Sequence, residues 1–162
     1  MYRVKRQEDP EQNYKLMAYM AKRVLEDDKD EIASLANISA VINGYMDRIN
    51  WVGFYIMKGG ELVLGPFQGL PACIRIQVGK GVCGTAVAKR ETQVVDDVDT
   101  FPGHIACDSA SKSEIVIPIY KNGEVYGVLD VDSPELNRFG TLEEKYLSEI
   151  CAVIGKQLEP PM

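Results

Sequence analysis

The sequence predicts an α+β fold, a central antiparallel sheet with helices packed on it. Three features predict it: two amphipathic helical stretches before residue 48, a middle rich in β-favouring residues and tight-turn signals, and one more amphipathic helix at the end. Asp9-Pro10 reads as a helix start, Asp as N-cap and Pro at the first helical position. Tyr14, Met17, Ala18, Ala21, Val24 and Leu25 then recur at helical spacing. Glu26 to Asp30 is a charged break that reads as a solvated linker. Ile32, Leu35, Ala36, Ile38, Val41, Ile42 and Met46 give the second helix a broad apolar face, which could lie on a sheet or pair with a second copy.

Trp51 to Met57 is strand-like, with Gly59-Gly60 as a hairpin turn and Glu61 to Phe67 as the returning strand. A short strand is expected over Cys73–Val78, a short helix over Val82–Lys89 and a brief strand over Thr92–Val95. Residues 99–113 read as a long irregular stretch, a length often tied to function. Glu114–Tyr120 and Glu124–Asp132 read as two strands joined by Lys121-Asn122-Gly123, where Asn-Gly is a hairpin signal. Pro118 suggests a bulge or a position that does not donate to the ladder. Thr141 with Glu144 reads as a capping box opening the last helix, whose apolar face is Leu147, Ile150, Cys151, Ile154 and Leu158. One domain over 1–162 is expected, with helices over 1–48 and a sheet core and C-terminal helix over 49–158.

The chain has 162 residues, enough for one domain with a proper core, and a net charge of −6. That charge disfavours nucleic acid and anionic membranes as partners. No apolar run approaches the roughly 20 residues of a membrane span, and the N-terminus does not read as a secretory signal. A cytoplasmic location is expected, where thiols are kept reduced. Four cysteines there point to catalysis, metal binding or redox sensing more than to a structural disulfide framework.

Three of those cysteines, Cys73, Cys83 and Cys107, sit in Gly/Pro-rich, loop-like surroundings. Cys107 is the best nucleophile candidate, because it precedes Asp108-Ser-Ala-Ser in a polar loop where a thiol can stay accessible. Its partner in a disulfide cycle would be Cys73 or Cys83. The competing reading makes all three small core residues. Asp130 and Asp132 lie two apart on a strand that is otherwise apolar, so both face one side. Carboxyls so close raise each other's pKa, and a protonated member could donate to a substrate oxygen near neutral pH. The competing reading ends the strand at Asp130 and leaves both acids solvated. Trp51 and Tyr55, four apart, share a strand face and could form an apolar wall with a hydroxyl handle. A zinc site of His104, Cys73, Cys83 and Cys107 lacks a compact knuckle spacing, and no resident metal is expected. Gly79-Lys80-Gly81 lacks the full phosphate-loop pattern and is set aside. Cys151 reads as packing.

Assembled, these residues resemble the free methionine-(R)-sulfoxide reductases, single GAF-domain enzymes. The resemblance runs from about Ile49 to Leu158. It is carried by Gly65-Pro-Phe-Gln-Gly69, Gly81-Val-Cys83-Gly-Thr-Ala86, Gly103-His-Ile-Ala-Cys107-Asp108, Ser113-Glu-Ile-Val116 and Gly127-Val-Leu-Asp-Val-Asp-Ser133. The resemblance implies a GAF-like sheet and thiol reduction of free L-methionine-(R)-sulfoxide through a sulfenic acid and an intramolecular disulfide. It implies Cys107 as catalytic cysteine, Cys73 as resolving cysteine, and Cys83 as a third, in recycling or as alternative partner. Trp51 and Tyr55 match pocket residues, and Glu114, Asp130 and Asp132 match pocket acids that protonate the sulfoxide oxygen and pair with the substrate ammonium. No prosthetic cofactor is implied; thioredoxin is the external reductant, and the N-terminal helices permit a homodimer. The resemblance is specific to the enzyme, because most GAF domains are ligand sensors and lack the three cysteines; the alternative is a non-catalytic GAF sensor of a small ligand, with the cysteines reporting redox state.

Overall fold

Period-two alternation along three neighbouring strands divides this molecule into two faces. The computed structural model describes residues 2–104 and 110–158. In chain order its elements are α1 (Pro10–Asp27), α2 (Glu31–Tyr45), β1 (Trp51–Lys58), β2 (Glu61–Gln68), β3 (Arg75–Gln77), α3 (Gly81–Lys89), β4 (Gln93–Val95), β5 (Ser113–Lys121), β6 (Glu124–Ser133) and α4 (Thr141–Gln157). A single 3₁₀ turn, Val98–Thr100, follows β4. The strands form one sheet in the order β3-β2-β1-β6-β5-β4, with every neighbouring pair antiparallel.

Successive strand residues point to opposite faces. Val52, Phe54 and Ile56 of β1, Leu129 and Val131 of β6, and Ile115, Ile117 and Ile119 of β5 join the core beneath α1, α2 and α4. Trp51 and Tyr55 of β1, Val128 of β6 and Val116 of β5 join a second core beneath α3. The same alternation sends Asp130, Asp132 and Glu114 to the α3 side. The chain is thus a sheet with three long helices on one face and a short helix with its loops on the other.

α1 begins as the sequence predicts, with Asp9 Oδ2 accepting from the Gln12 amide at 2.9 Å. All six of its predicted core residues are buried. The acidic break after it is more than a linker: Asp30 caps α2 through the Ala33 amide at 2.9 Å. The buried face of α2 is narrower than the sequence suggests. Ile32 is 71% exposed and Ala36 is exposed, while Ser39 is buried because its hydroxyl donates to the Leu35 carbonyl at 2.8 Å. Both N-terminal helices are used within the chain, α2 against β1 and β2, and α1 against α2 and α4.

The hairpin at Asn122-Gly123 forms with positive φ at both residues, 53° and 79°. Pro118 lies past the end of β4, where β5 has no strand on its outer side. β3 is shorter than predicted, leaving Cys73 in the irregular segment before it. The last helix is capped one residue earlier than predicted. Gly140 is the N-cap, and Glu143, not Glu144, reaches back to its amide at 2.8 Å. Thr141 is therefore the first helical residue.

The seat of α4 on β5 depends on Gly155, where an added Cβ would lie 2.1 Å from the Tyr120 carbonyl oxygen. Gly155→Ala is expected to cost about 1–3 kcal/mol, the usual range for overpacking a tight interior. Urea denaturation checks this, and a midpoint at or above that of the wild type contradicts the packing described.

Candidate active site

The acids of the site are placed by strand register. Asp132 of β6 sits opposite Glu114 of β5 and Trp51 of β1, and Asp130 sits opposite Val116 and Gly53. α3 packs over this face and lowers Cys83 towards it. The Cys83 sulfur and one carboxylate oxygen each from Glu114 and Asp130 lie within 4.8 Å of one another. Glu114 is 7% exposed, Asp130 6% and Cys83 4%. Asp130 Oδ1 is buried and makes no hydrogen bond among the described residues.

Burial of this kind disfavours charge. Burial pushes Glu114 well above the usual carboxyl range, and neighbouring Asp130 adds to the push. Asp130 is raised in the same way, first by burial and then by the charge of Asp132. The Cys83 thiol is raised by burial, then by Asp130, Glu114 and Asp132. The site therefore favours neutral carboxylic acids and a protonated thiol at its base, and neutral acids can donate hydrogen bonds and protons.

A cavity opens onto these groups. Trp51 and Tyr55 wall it, their rings stacked with centroids 6.0 Å apart. Phe67 backs Trp51 at 5.2 Å, and Gly69, at φ 140°, lets the chain run against the indole, where a Cβ would meet Trp51 Cδ1 at 2.5 Å. The indole Nε1 donates to the Leu70 carbonyl at 3.1 Å, and the Tyr55 hydroxyl donates to the Cys73 carbonyl at 2.8 Å. The expected hydroxyl handle is thus occupied here in fixing the Cys73 segment. Burial raises the Tyr55 pKa, so it stays a neutral donor.

Cys73 is disulfide-bonded, whereas Cys83 and Cys151 are free thiols. Cys107, the expected nucleophile, and Asp108 lie outside the described residues. The structure brings Trp51, Tyr55, Cys83, Glu114, Asp130 and Asp132 together on one cavity. Cys151 is elsewhere, in the core beneath the three long helices, where burial raises its pKa.

Three further residues with polar side chains line the cavity: Lys80, His104 and Ser111. His104 Nε2 stands 3.9 Å from Glu114 Oε1. The sequence weighed His104 only as a zinc ligand and Lys80 only as part of an incomplete phosphate loop. The Gly79-Lys-Gly81 signal did mark the start of α3, with Lys80 as its N-cap residue.

A model of the GAF domain matches residues 27–159. Protein YtsP of Bacillus subtilis is 50% identical over 161 residues, covering 98% of this chain and 99% of its own. The free methionine-R-sulfoxide reductase of Escherichia coli is 50% identical over 127 residues, covering 78% of this chain and 77% of its own. The X-ray structure of free methionine-R-sulfoxide reductase from Neisseria meningitidis in complex with its substrate matches with a TM-score of 0.93 at 42% identity, covering 97% of this chain and 95% of that one. A six-stranded antiparallel sheet between helices, with a cavity of buried acids on one face, is in keeping with these likenesses, and the chain belongs to the GAF domain family, among the free methionine-R-sulfoxide reductases.

Proposed function

We propose that this chain, acting as one domain over 1–162, reduces free L-methionine-(R)-sulfoxide to L-methionine. The observation that carries the reading is the buried pair Glu114 and Asp130, whose burial favours the protonated form, beside a cavity with an aromatic wall. A sulfoxide oxygen leaves sulfur readily only once protonated, and a neutral buried carboxyl can supply that proton. The relatives named above support the choice of substrate.

In the proposed cycle the Cys107 thiolate attacks the sulfoxide while an acid of the Glu114, Asp130 and Asp132 set gives a proton to its oxygen. The oxygen passes to Cys107 as a sulfenic acid, and methionine leaves as the thioether. The Cys73 thiol then attacks the Cys107 sulfur, water departs with the oxygen, and a Cys73–Cys107 disulfide remains. Two thiols have been oxidised by two electrons and one sulfoxide reduced by two. The disulfide state of Cys73, with Cys83 and Cys151 free, supports this pairing. Cys83 is a poor competitor as resolving group, because its surroundings disfavour the thiolate. Thioredoxin restores the thiols by exchange, in a cytoplasmic setting. Another acid of the set pairs with the substrate ammonium. Trp51 covers the substrate methyl and excludes water. No prosthetic cofactor is invoked for these steps.

Incubation of the protein with L-methionine-(R)-sulfoxide and dithiothreitol is expected to release methionine, and Cys107→Ser to abolish it. Cys73→Ser should keep a first-turnover burst while losing thioredoxin-driven recycling at least about tenfold. Absence of methionine with intact thiols would instead indicate a sensor. An unchanged steady state in Cys73→Ser would make Cys83 the resolving group.

The raised acids also cost stability. Below the ordinary Asp value both native and unfolded chains hold the proton, so nothing is lost. Between that value and the raised native one, only the unfolded chain has released it, and stability falls as pH rises. Asp130→Asn should therefore raise Tm more at pH 8 than at pH 5, roughly 2–4 °C for each kcal/mol relieved, and cut turnover at least about a hundredfold. A Tm that falls equally at both pH values, with turnover kept, would mean that Asp130 is only structural.

A further inference from the structure

Cys83, Glu114 and Asp130 converge from three different elements, α3, β5 and β6, and present one sulfur and two carboxylate oxygens within 4.8 Å of one another. A second observation falls on a member of the set: Asp130 is only 6% exposed, and its buried Oδ1 has no hydrogen-bond partner among the described residues. A buried acceptor left without a donor is uncommon, and a bound ion is one of its standard explanations. His104 stands at the rim with Nε2 3.9 Å from Glu114 Oε1.

We propose that Cys83, Glu114 and Asp130, with His104 as fourth ligand, form a binding site for a thiophilic divalent cation of the zinc class, and that the cation inhibits the enzyme by occupying the acid pocket. The donor set is one thiolate, two carboxylates and one imidazole, a mixture that suits zinc and cobalt(II) and does not suit magnesium or calcium. In a tetrahedral zinc site, ligand atoms about 2.0–2.3 Å from the metal lie roughly 3.3–3.6 Å from each other. His104 Nε2 is 3.9 Å from Glu114 Oε1 but lies outside the set whose donor atoms all fall within 4.8 Å of one another, so the imidazole must swing in to complete the site, and the other three groups need to draw in by about an ångström. Binding is an exchange of protons for metal: the Cys83 thiol and whichever carboxyls are protonated release their protons to solvent, and nothing is oxidised or reduced.

This site differs from the zinc set weighed from the sequence, which used all three loop cysteines. Cys73 is disulfide-bonded and has no thiol to offer, whereas Cys83 remains free in that same state. Metal binding therefore belongs to the oxidised protein as well as the reduced one. Inhibition follows because a coordinated carboxylate can neither hold the catalytic proton nor receive the substrate. That second half depends on the reductase reading above; the binding half does not.

The test titrates Co²⁺ into the purified full-length protein oxidised at Cys73, and follows the thiolate-to-cobalt charge-transfer absorption. One equivalent is expected to bind with that band present, Zn²⁺ to displace it, and Zn²⁺ to raise Tm. Cys83→Ser should lose the band, and Asp130→Asn should weaken binding at least about tenfold, while Cys151→Ser changes neither. No band in the wild type, or a band that persists in Cys83→Ser, overturns the proposal. If Cys83→Ser fails to fold, Glu114→Gln and Asp130→Asn decide: unchanged cobalt affinity in both overturns it. The reductase reading is checked separately by methionine release without metal. Turnover that is lost with micromolar Zn²⁺ and restored by chelator supports the inhibitory half, and undiminished turnover with the site filled overturns that half alone.

Discussion

The burial of Glu114 and Asp130 against Cys83 is the constraint on which the rest of this structure depends. Two carboxyls and a thiol share a space from which water is largely excluded, and no salt bridge among the described residues neutralises them other than the approach of His104 to Glu114. Burial of such a cluster favours the forms that hold their protons. The sheet supplies the rigidity. Register fixes Glu114 opposite Asp132, and the opposite face of the same three strands is locked by Phe54, Ile115, Leu129 and the helices above them. The apolar half of the molecule thus secures the polar half against rearrangement that would relieve it.

The same arrangement sets stability against function. A fold optimised for stability would place apolar residues at positions 114 and 130, as it does at the flanking positions Ile115, Leu129 and Val131, all fully buried. Strain of this kind at a cavity is typical of sites that do chemistry. The aromatic wall fits the scheme. Trp51 and Tyr55 belong to the apolar core of the α3 face, yet their polar atoms are spent on the carbonyls of Leu70 and Cys73. They hold the cysteine-bearing segment at the cavity mouth and add no charge that could neutralise the acids.

Much of this was legible in the sequence. The Asn122-Gly123 hairpin signal marks the strand over 124–132, and Asp130 and Asp132 share a face because a strand's geometry leaves side chains only two directions. The faces of α1 and α4 followed from spacing for the same reason. What spacing could not give is what meets a face. Nothing local tells that α3 brings Cys83 onto Glu114 and Asp130, or that His104 and Lys80 border the same cavity, since these meetings are made by strand order and loop path. Ile32 misled because a helix face extends only as far as its neighbours reach. Thr141 misled because a glycine backbone can hold the N-cap position when Glu143 reaches back to it. Cys107, outside the described residues, stands out in the sequence by its polar loop setting, and the resemblance implies the same role for it.

The protonation of Glu114 and Asp130 can be read directly from the carboxyl carbonyl stretch in difference infrared spectra of the wild type against Glu114→Gln and Asp130→Asn at pH 7. The account predicts a protonated-carboxyl band in the wild type that diminishes in each variant. Two ionised carboxylates at pH 7, with no such band in the wild type, would contradict it.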